Sequence, residues 1–361
     1  MREAFKSEAA RDPVWSIPAT RADGRSSGQE SRTATFKSAR DFCAEFNPLD
    51  YTIESFVRSA SLYTLTAKTG SGKTALAIIM ALAVATGRPD ILGREVAHGR
   101  VAYIAAENPD DLRMRIMVAA YILNIDLDEL ADSLMILDYR VKPEELVKRL
   151  RGPAERRPYS LIIIDTLAAF FDGNDANDNV QGGEFMRRLR PLTQIGGRPS
   201  VIVAAHPVKN ASDENLIPYG GGAILNEVDG NLTLSARAGI VSLHWQGKFR
   251  GLEFAPLFFR LENGGSPDVI DAKGRQVPLP VCRPATEQVS EERQSAEDRI
   301  DMLLIRTMIQ NPTGTQQDWA TAIGKAKSNV NGKLHRLKRE KLVENALGKW
   351  VVTPKGRRAA E

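Results

Sequence analysis

Eight consecutive residues, Ala67-Lys68-Thr69-Gly70-Ser71-Gly72-Lys73-Thr74, have the types and spacing needed to hold phosphate. Gly70 and Gly72 let backbone N–H groups turn inward toward an anion, where a Cβ would obstruct them. A helix starting at this point adds the partial positive charge of its N-terminus. Lys73 would reach the β- and γ-phosphates of ATP, and the Thr74 hydroxyl would bind Mg²⁺. The first glycine position of the loop pattern is Ala67, which stands at a strand end where a side chain is tolerable. An apolar run, Leu62–Thr66, leads in, and a helical run, Ala75–Ala85, leads out. That strand–loop–helix context separates a phosphate cradle from a glycine turn bearing a solvated lysine.

Four further residue groups sit where they could complete a hydrolytic site. Asp165 follows Leu161-Ile162-Ile163-Ile164, and a carboxylate at the end of a buried strand can hold Mg²⁺ beside the nucleotide. No acid follows Asp165 directly; Thr166 does, so a water-activating base must come from another strand. Glu107 ends the run Val101–Ala106 and is the candidate, its alternative being a helix-start carboxylate satisfied by the dipole. His206 follows Val201–Ala205 and could touch the γ-phosphate and signal hydrolysis to the next loop, or be structural. Arg237, Lys248 and Arg250 lie beyond later strands, as surface cations or as groups inserted into a neighbour's site. Two long connections, Asp172–Gly183 and Pro207–Gly222, are of a length that is usually functional. Lys209, in the second, could meet a nucleic-acid phosphate, whereas the first is acidic.

The elements that must position these residues are legible as alternation. Short apolar strands at Leu62–Thr66, Val101–Ala105, Leu134–Leu137, Leu161–Ile164 and Val201–Ala205 are separated by helical patterns over 73–86, 110–123, 143–151 and 183–195. This predicts an α/β fold with a mainly parallel sheet covered on both faces, its ligands beyond the carboxyl ends of the strands. Asn231–Ser235, Ile240–Trp245 and Leu257–Leu261 alternate in period two, as antiparallel strands do. Residues 1–35, rich in Arg, Ser, Ala and Gly, are expected to be disordered. The ATPase domain is expected over 36–261, with Phe42, Phe46, Tyr51, Ile53, Phe56 and Val57 as packing anchors at its start. The Gly- and Pro-rich stretch 262–295 is expected as a linker. A separate domain follows over 296–361, with helices at Ala296–Gln310, Thr315–Ile323 and Ser328–Lys341 and then a hairpin. In its third helix Val330, Leu334 and Leu337 face inward, leaving Lys333, Arg336, Lys338 and Arg339 for a polar face.

Composition narrows the partners. The net charge of the 361 residues is +4, but Thr321–Glu361 carries eleven Lys/Arg and three Glu. A basic tail on a mildly acidic body fits a polyanionic partner, or a solvated tail. Cys43 and Cys282 are isolated, offering neither zinc spacing nor a disulfide framework, which suits a reducing cytoplasm. The longest apolar stretch, 11 residues, is too short to span a bilayer, and the start shows no signal-peptide pattern.

On these residues the chain resembles RecA-like ATPases of the plasmid-encoded RepA hexameric helicase type, over roughly residues 45–261. The resemblance rests on Ala67–Thr74, His98–Asn108, Leu161–Thr166 and Ala204–Pro207. It implies a RecA-like P-loop core and places that family's P-loop lysine, strand-end glutamate, Walker B aspartate and histidine at Lys73, Glu107, Asp165 and His206. Arg237 would be the arginine acting in trans. It also implies ATP and Mg²⁺, a homo-oligomeric ring, expected as a hexamer, and single-stranded DNA through its centre. The last domain looks like a winged helix, whose third helix would bring Lys333, Arg336 and Arg339 to duplex DNA. The expected function is an ATP-driven DNA motor or loader in plasmid or mobile-element replication. Its rivals are an ATP-switched DNA-binding regulator and a recombinase-like filament.

Overall fold

The computed structural model describes residues 36–44, 46, 48, 50–173, 178–209, 211–213, 215–237, 239–285, 287–346 and 348–360; the side chains of 287–294, 296, 297 and 328 are not described. The segment 1–35 and residues 174–177 of the acidic connection lie outside these residues. Contacts divide the chain into Met1–Pro48 and Leu49–Glu361. In the first unit, α1 (Ala39–Ala44) buries none of its residues. Phe42 and Phe46 are not the anchors expected of them: they are 70% and 72% exposed. A helix of this length is too short to present a broad apolar stripe. In the second unit the expected anchors Ile53, Phe56 and Val57 are fully buried, carried by a small antiparallel pair, β1 (Tyr51–Ile53) and β2 (Val57–Arg58).

The α/β alternation follows: β3 (Leu62–Ala67), α2 (Lys73–Thr86), β4 (Arg100–Ala105), α3 (Pro109–Ile122), β5 (Leu134–Leu137), α4 (Pro143–Arg156) and β6 (Tyr159–Asp165). Then come α5 (Leu167–Phe170), α6 (Asn179–Leu189), β7 (Ser200–Ala205), α7 (Gly221–Glu227), β8 (Gly230–Arg237), β9 (Ile240–Phe249), β10 (Leu257–Gly264) and β11 (Leu279–Pro284). Among the described residues, nine strands form one sheet in the order β11-β10-β9-β8-β3-β7-β6-β4-β5. The block from β8 to β5 is parallel, and β9, β10 and β11 extend it antiparallel. Alternate residues of each central strand enter different cores. Tyr63, Leu65, Tyr103, Leu161 and Ile163 pack with α2 and α3, while Leu62, Ile104, Ile162, Ile164 and Val203 pack with α4 and α6. Burial on both faces is why these strands read as continuous apolar runs.

The expected linker is a correction. Part of 262–295 belongs to the sheet: β10 runs to Gly264, and β11 pairs with it from Phe259↔Pro284 to Gly264↔Leu279. Val269, Val281 and Cys282 enter the main core. Prolines 280 and 284 are compatible with a strand here because β11 is at the sheet edge and pairs on one side only. The next helix, α8 (Glu287–Gln310), also begins within that stretch. It is followed by α9 (Gln316–Ala322), α10 (Lys327–Arg339), the hairpin β12 (Val343–Ala346) and β13 (Lys349–Val352), and α11 (Pro354–Ala360). Leu304, Ile305, Met308, Trp319, Val330 and Leu334 share a third core. Thr315 caps α9 through a reciprocal box with Asp318.

Candidate nucleotide site

Strand order and register bring four sequence-selected residues to one place. The carboxyl ends of β3, β7, β6 and β4 are neighbours in that order, with Thr66 opposite Ala205 and Asp165 opposite Ala105. Lys73 follows β3, His206 follows β7, Asp165 ends β6 and Glu107 follows β4. Ala67 is the buried last residue of β3, which explains how a side chain is accommodated there. Gly70 and Gly72 have φ of +79° and +82°. Around Gly70 there is open space, so its need is purely conformational; at Gly72 a Cβ would also come within 3.2 Å of Leu261. Gly72 caps α2, whose first two residues are Lys73 and Thr74.

Lys73 is 6% exposed. Its Nζ donates to the carbonyl of Ala205 at 3.1 Å and lies 3.5 Å from that of Ala67. It is also 3.4 Å from His206 Nδ1, which must be the acceptor if the lysine is charged. Burial pushes Lys73 down to about 8, opposed by the charges of Asp165 and Glu107. Burial, and then the Lys73 charge, lower His206 from its ordinary value, which keeps the imidazole neutral at pH 7. Glu107 is exposed, and its Oε1 accepts from the Thr166 hydroxyl at 3.4 Å.

Asp165 is 6% exposed and its two oxygens differ. Oδ2 accepts from the Tyr103 hydroxyl at 2.8 Å; Oδ1 is buried without a partner. A buried carboxylate oxygen left unmatched beside a phosphate-type loop is what a hard cation would complete. Among the described residues no group of three or more His, Cys, Asp or Glu is placed to hold a metal ion. One carboxylate and a hydroxyl from the protein fit Mg²⁺ carried largely by nucleotide phosphates. Tyr103 was not singled out from sequence. The available signal was a polar hydroxyl inside a fully buried strand, which must find a partner. Its burial, reinforced by the Asp165 charge, holds the phenol well above its usual range, so it remains a donor. Tyr103→Phe is expected to cost about 1–3 kcal/mol by leaving Oδ2 unmatched, measured as denaturant unfolding of the nucleotide-free protein.

The connection after His206 is more ordered than its length implied. Tyr219 N donates to the His206 carbonyl at 2.8 Å, and Val208 N to Ile217 at 3.1 Å. Lys209, exposed, sits at the turn, and the three glycines 220–222 launch α7 rather than closing a loop. Fully buried Asn231 ties this connection to the phosphate loop's strand. Its Oδ1 accepts from Thr64 and Thr66 at 2.9 and 2.6 Å, and its Nδ2 donates to Leu216 and Gln246 carbonyls at 2.9 and 3.1 Å. Asn231→Leu would strand several buried groups, so a loss of about 2 kcal/mol or more is expected, read as a lower thermal midpoint. Lys68 of the phosphate loop pairs with Asp213 at 2.8 Å. With both side chains partly exposed, this tether contributes at most about 1 kcal/mol and opens easily.

The remaining cations fall in different places. Lys248 donates to the Asn226 carbonyl and Arg250 pairs with Asp229, both at the amino end of β8 and away from the phosphate loop. Arg237 ends β8 on the phosphate-loop side and is exposed. On α10, Lys333 and Arg336 do not lie on an open polar face. Lys333 is 7% exposed and 3.0 Å from Asp301 of α8, Arg336 also contacts Asp301, and Arg339 stacks over the Trp245 ring at 4.7 Å. The helix packs against α9, β12 and α8, and its Arg339 reaches Trp245 of β9.

A largely parallel sheet with a glycine-rich phosphate loop between its central strand and a buried helix defines a P-loop ATPase, and it agrees with a RecA-like core. The AAA domain family matches residues 29–212, just over half of the chain, and the chain belongs to that family. The match includes Lys73, Glu107, Asp165 and His206 and ends before β8. Among the described residues, no helix is long and apolar enough to cross a membrane.

Proposed function

We infer that this protein hydrolyses ATP at the carboxyl ends of β3, β7, β6 and β4 and spends that energy on DNA. The observation that carries the reading is the convergence of Lys73, His206, Asp165 and Glu107 on four adjacent strand ends, with one Asp165 oxygen left unmatched. The backbone of Ala67–Thr74 would cradle the phosphates and Lys73 would neutralise the terminal one. Thr74 and Asp165 Oδ1 would hold Mg²⁺, which supplies charge neutralisation at the transferring phosphoryl group. Glu107, exposed beside the cluster, would orient and deprotonate water. His206, hydrogen-bonded to Lys73 and joined through its carbonyl to Tyr219, would carry the phosphate state into the 207–219 connection.

The DNA assignment is supported by the basic C-terminal charge, by the resemblance to RepA-type hexameric helicases, and by three helices followed by a hairpin, the order of a winged helix. A ring of identical subunits is part of that reading, and electron microscopy of the ATP-bound protein distinguishes rings from filaments. The deciding experiment is the ATPase rate with and without single-stranded DNA. A several-fold stimulation is expected. No stimulation, together with duplex-specific binding, would replace a motor acting in replication of a plasmid or mobile element with an ATP-switched DNA-binding regulator.

A further inference from the structure

The face of β8 and β9 turned away from the main core is polar. Leu232, Leu234, Val241 and Leu243 enter the core, while Thr233, Ser235, Ser242 and His244 line a cleft on the opposite side. A sheet face that only packs a helix is normally apolar. Here α10 lies across the polar floor and leaves a cavity of about 190 Å³. Among the described residues lining it are four cations, Arg237, Lys333, Arg336 and Arg339, and one acid, Asp213. That acid is engaged by Lys68. Asp301, 4% exposed, contacts Lys333 and Arg336, and the Trp245 ring supports Arg339, so the cationic side chains are held rather than free to wander. The Trp245 indole Nε1, at the cleft wall, is buried without a partner. Among the described residues, cations thus outnumber acids on the lining of this cleft. His244, lowered mainly by burial and further by the Arg339 and Arg336 charges, registers the same positive field.

We propose that this cleft between α10 and the β8–β9 face is a second anion site, separate from the phosphate loop, that binds a phosphate-bearing ligand. Three guanidinium groups suit the several tetrahedrally arranged oxygens of a phosphate better than the two of a lone carboxylate. The cavity admits about one phosphate with part of its sugar, so a nucleic-acid backbone passing through and a free polyphosphate share the required chemistry. Arg237, assigned from sequence to a neighbour's nucleotide, serves in this site on its own chain. The proposal does not depend on the motor reading.

The test uses the full chain saturated with ADP and Mg²⁺, which occupies the phosphate loop, and two probes: a fluorescein-labelled oligothymidylate followed by anisotropy, and inorganic tripolyphosphate followed by calorimetry. Ser242→Glu puts a negative charge on the cleft floor, and Ser242→Gln adds the same bulk without charge. The expected result is a loss of about tenfold or more with Ser242→Glu and near wild-type binding with Ser242→Gln. Loss confined to the oligonucleotide identifies the nucleic-acid backbone as the source of phosphate; loss confined to tripolyphosphate identifies a free ligand. Binding of neither probe, equal binding by wild type and Ser242→Glu, or equal weakening by both variants overturns the proposal.

Discussion

Glu107→Gln is expected to bind ATP with near wild-type affinity and to hydrolyse it about 10²–10⁴-fold more slowly. Glutamine keeps the shape, the exposure and the contact with Thr166 but cannot accept a proton from water. The residue stands beyond β4, one strand away from Asp165, and the β6–β4 register sets Ala105 opposite Asp165. The two carboxylates can therefore divide the work, one holding the cation and the other facing solvent where water arrives. Single-turnover hydrolysis with labelled ATP, alongside equilibrium binding, separates the two effects. Full turnover in the variant would remove Glu107 from the mechanism.

Lys73 is expected to make ATP binding sensitive to pH in a range where an ordinary lysine is silent. In the nucleotide-free protein burial lowers it from 10.5 to about 8, so above pH 8 most molecules must take up a proton before Lys73 can meet a phosphate with its charge. Affinity should fall by up to about tenfold per pH unit above that point, and binding should take up close to one proton. Calorimetry in buffers of different ionisation heat measures the uptake. Folding stability should move the other way. Between about 8 and 10.5 the native state holds fewer protons at this site than the unfolded state, so the nucleotide-free protein gains stability as pH rises through that window. Lys73→Ala should abolish both dependences and cut turnover by about 10²–10³-fold, as loss of a preorganised charge donor does. Proton uptake that survives in Lys73→Ala would assign the effect to another group.

What was legible beforehand follows from which signals are local. Strands β3, β4, β6 and β7 are buried on both faces, so each is a short apolar run closed by a polar residue. Those polar residues, Lys73 in its loop, Glu107, Asp165 and His206, are the ones the register gathers. Partners distant in sequence left no such mark. Tyr103 meets Asp165 across 62 positions, Lys68 meets Asp213 across 145 and Asn231 meets Thr66 across 165. Prolines misdirected the reading of 262–295 because their cost depends on whether a strand is central or at an edge, which only the sheet order reveals. On α10, periodicity correctly turned Val330, Leu334 and Leu337 inward. It could not show that a second surface, the β8–β9 face, waits on the basic side.

Helix α2 has one more consequence. Among its 14 residues, every one from Ala75 to Ala85 is buried, and it touches the sheet, α3 and β11 on different sides. A helix enclosed in this way cannot recoil when a phosphate arrives or departs at its first turn. It is the fixed abutment against which the nucleotide pushes. The part that yields most easily is then the one held by a part-solvated bond, the Lys68–Asp213 pair of the phosphate loop. On the proposed motor reading, work would leave this site by way of the loop beside the nucleotide and not through the helix beneath it.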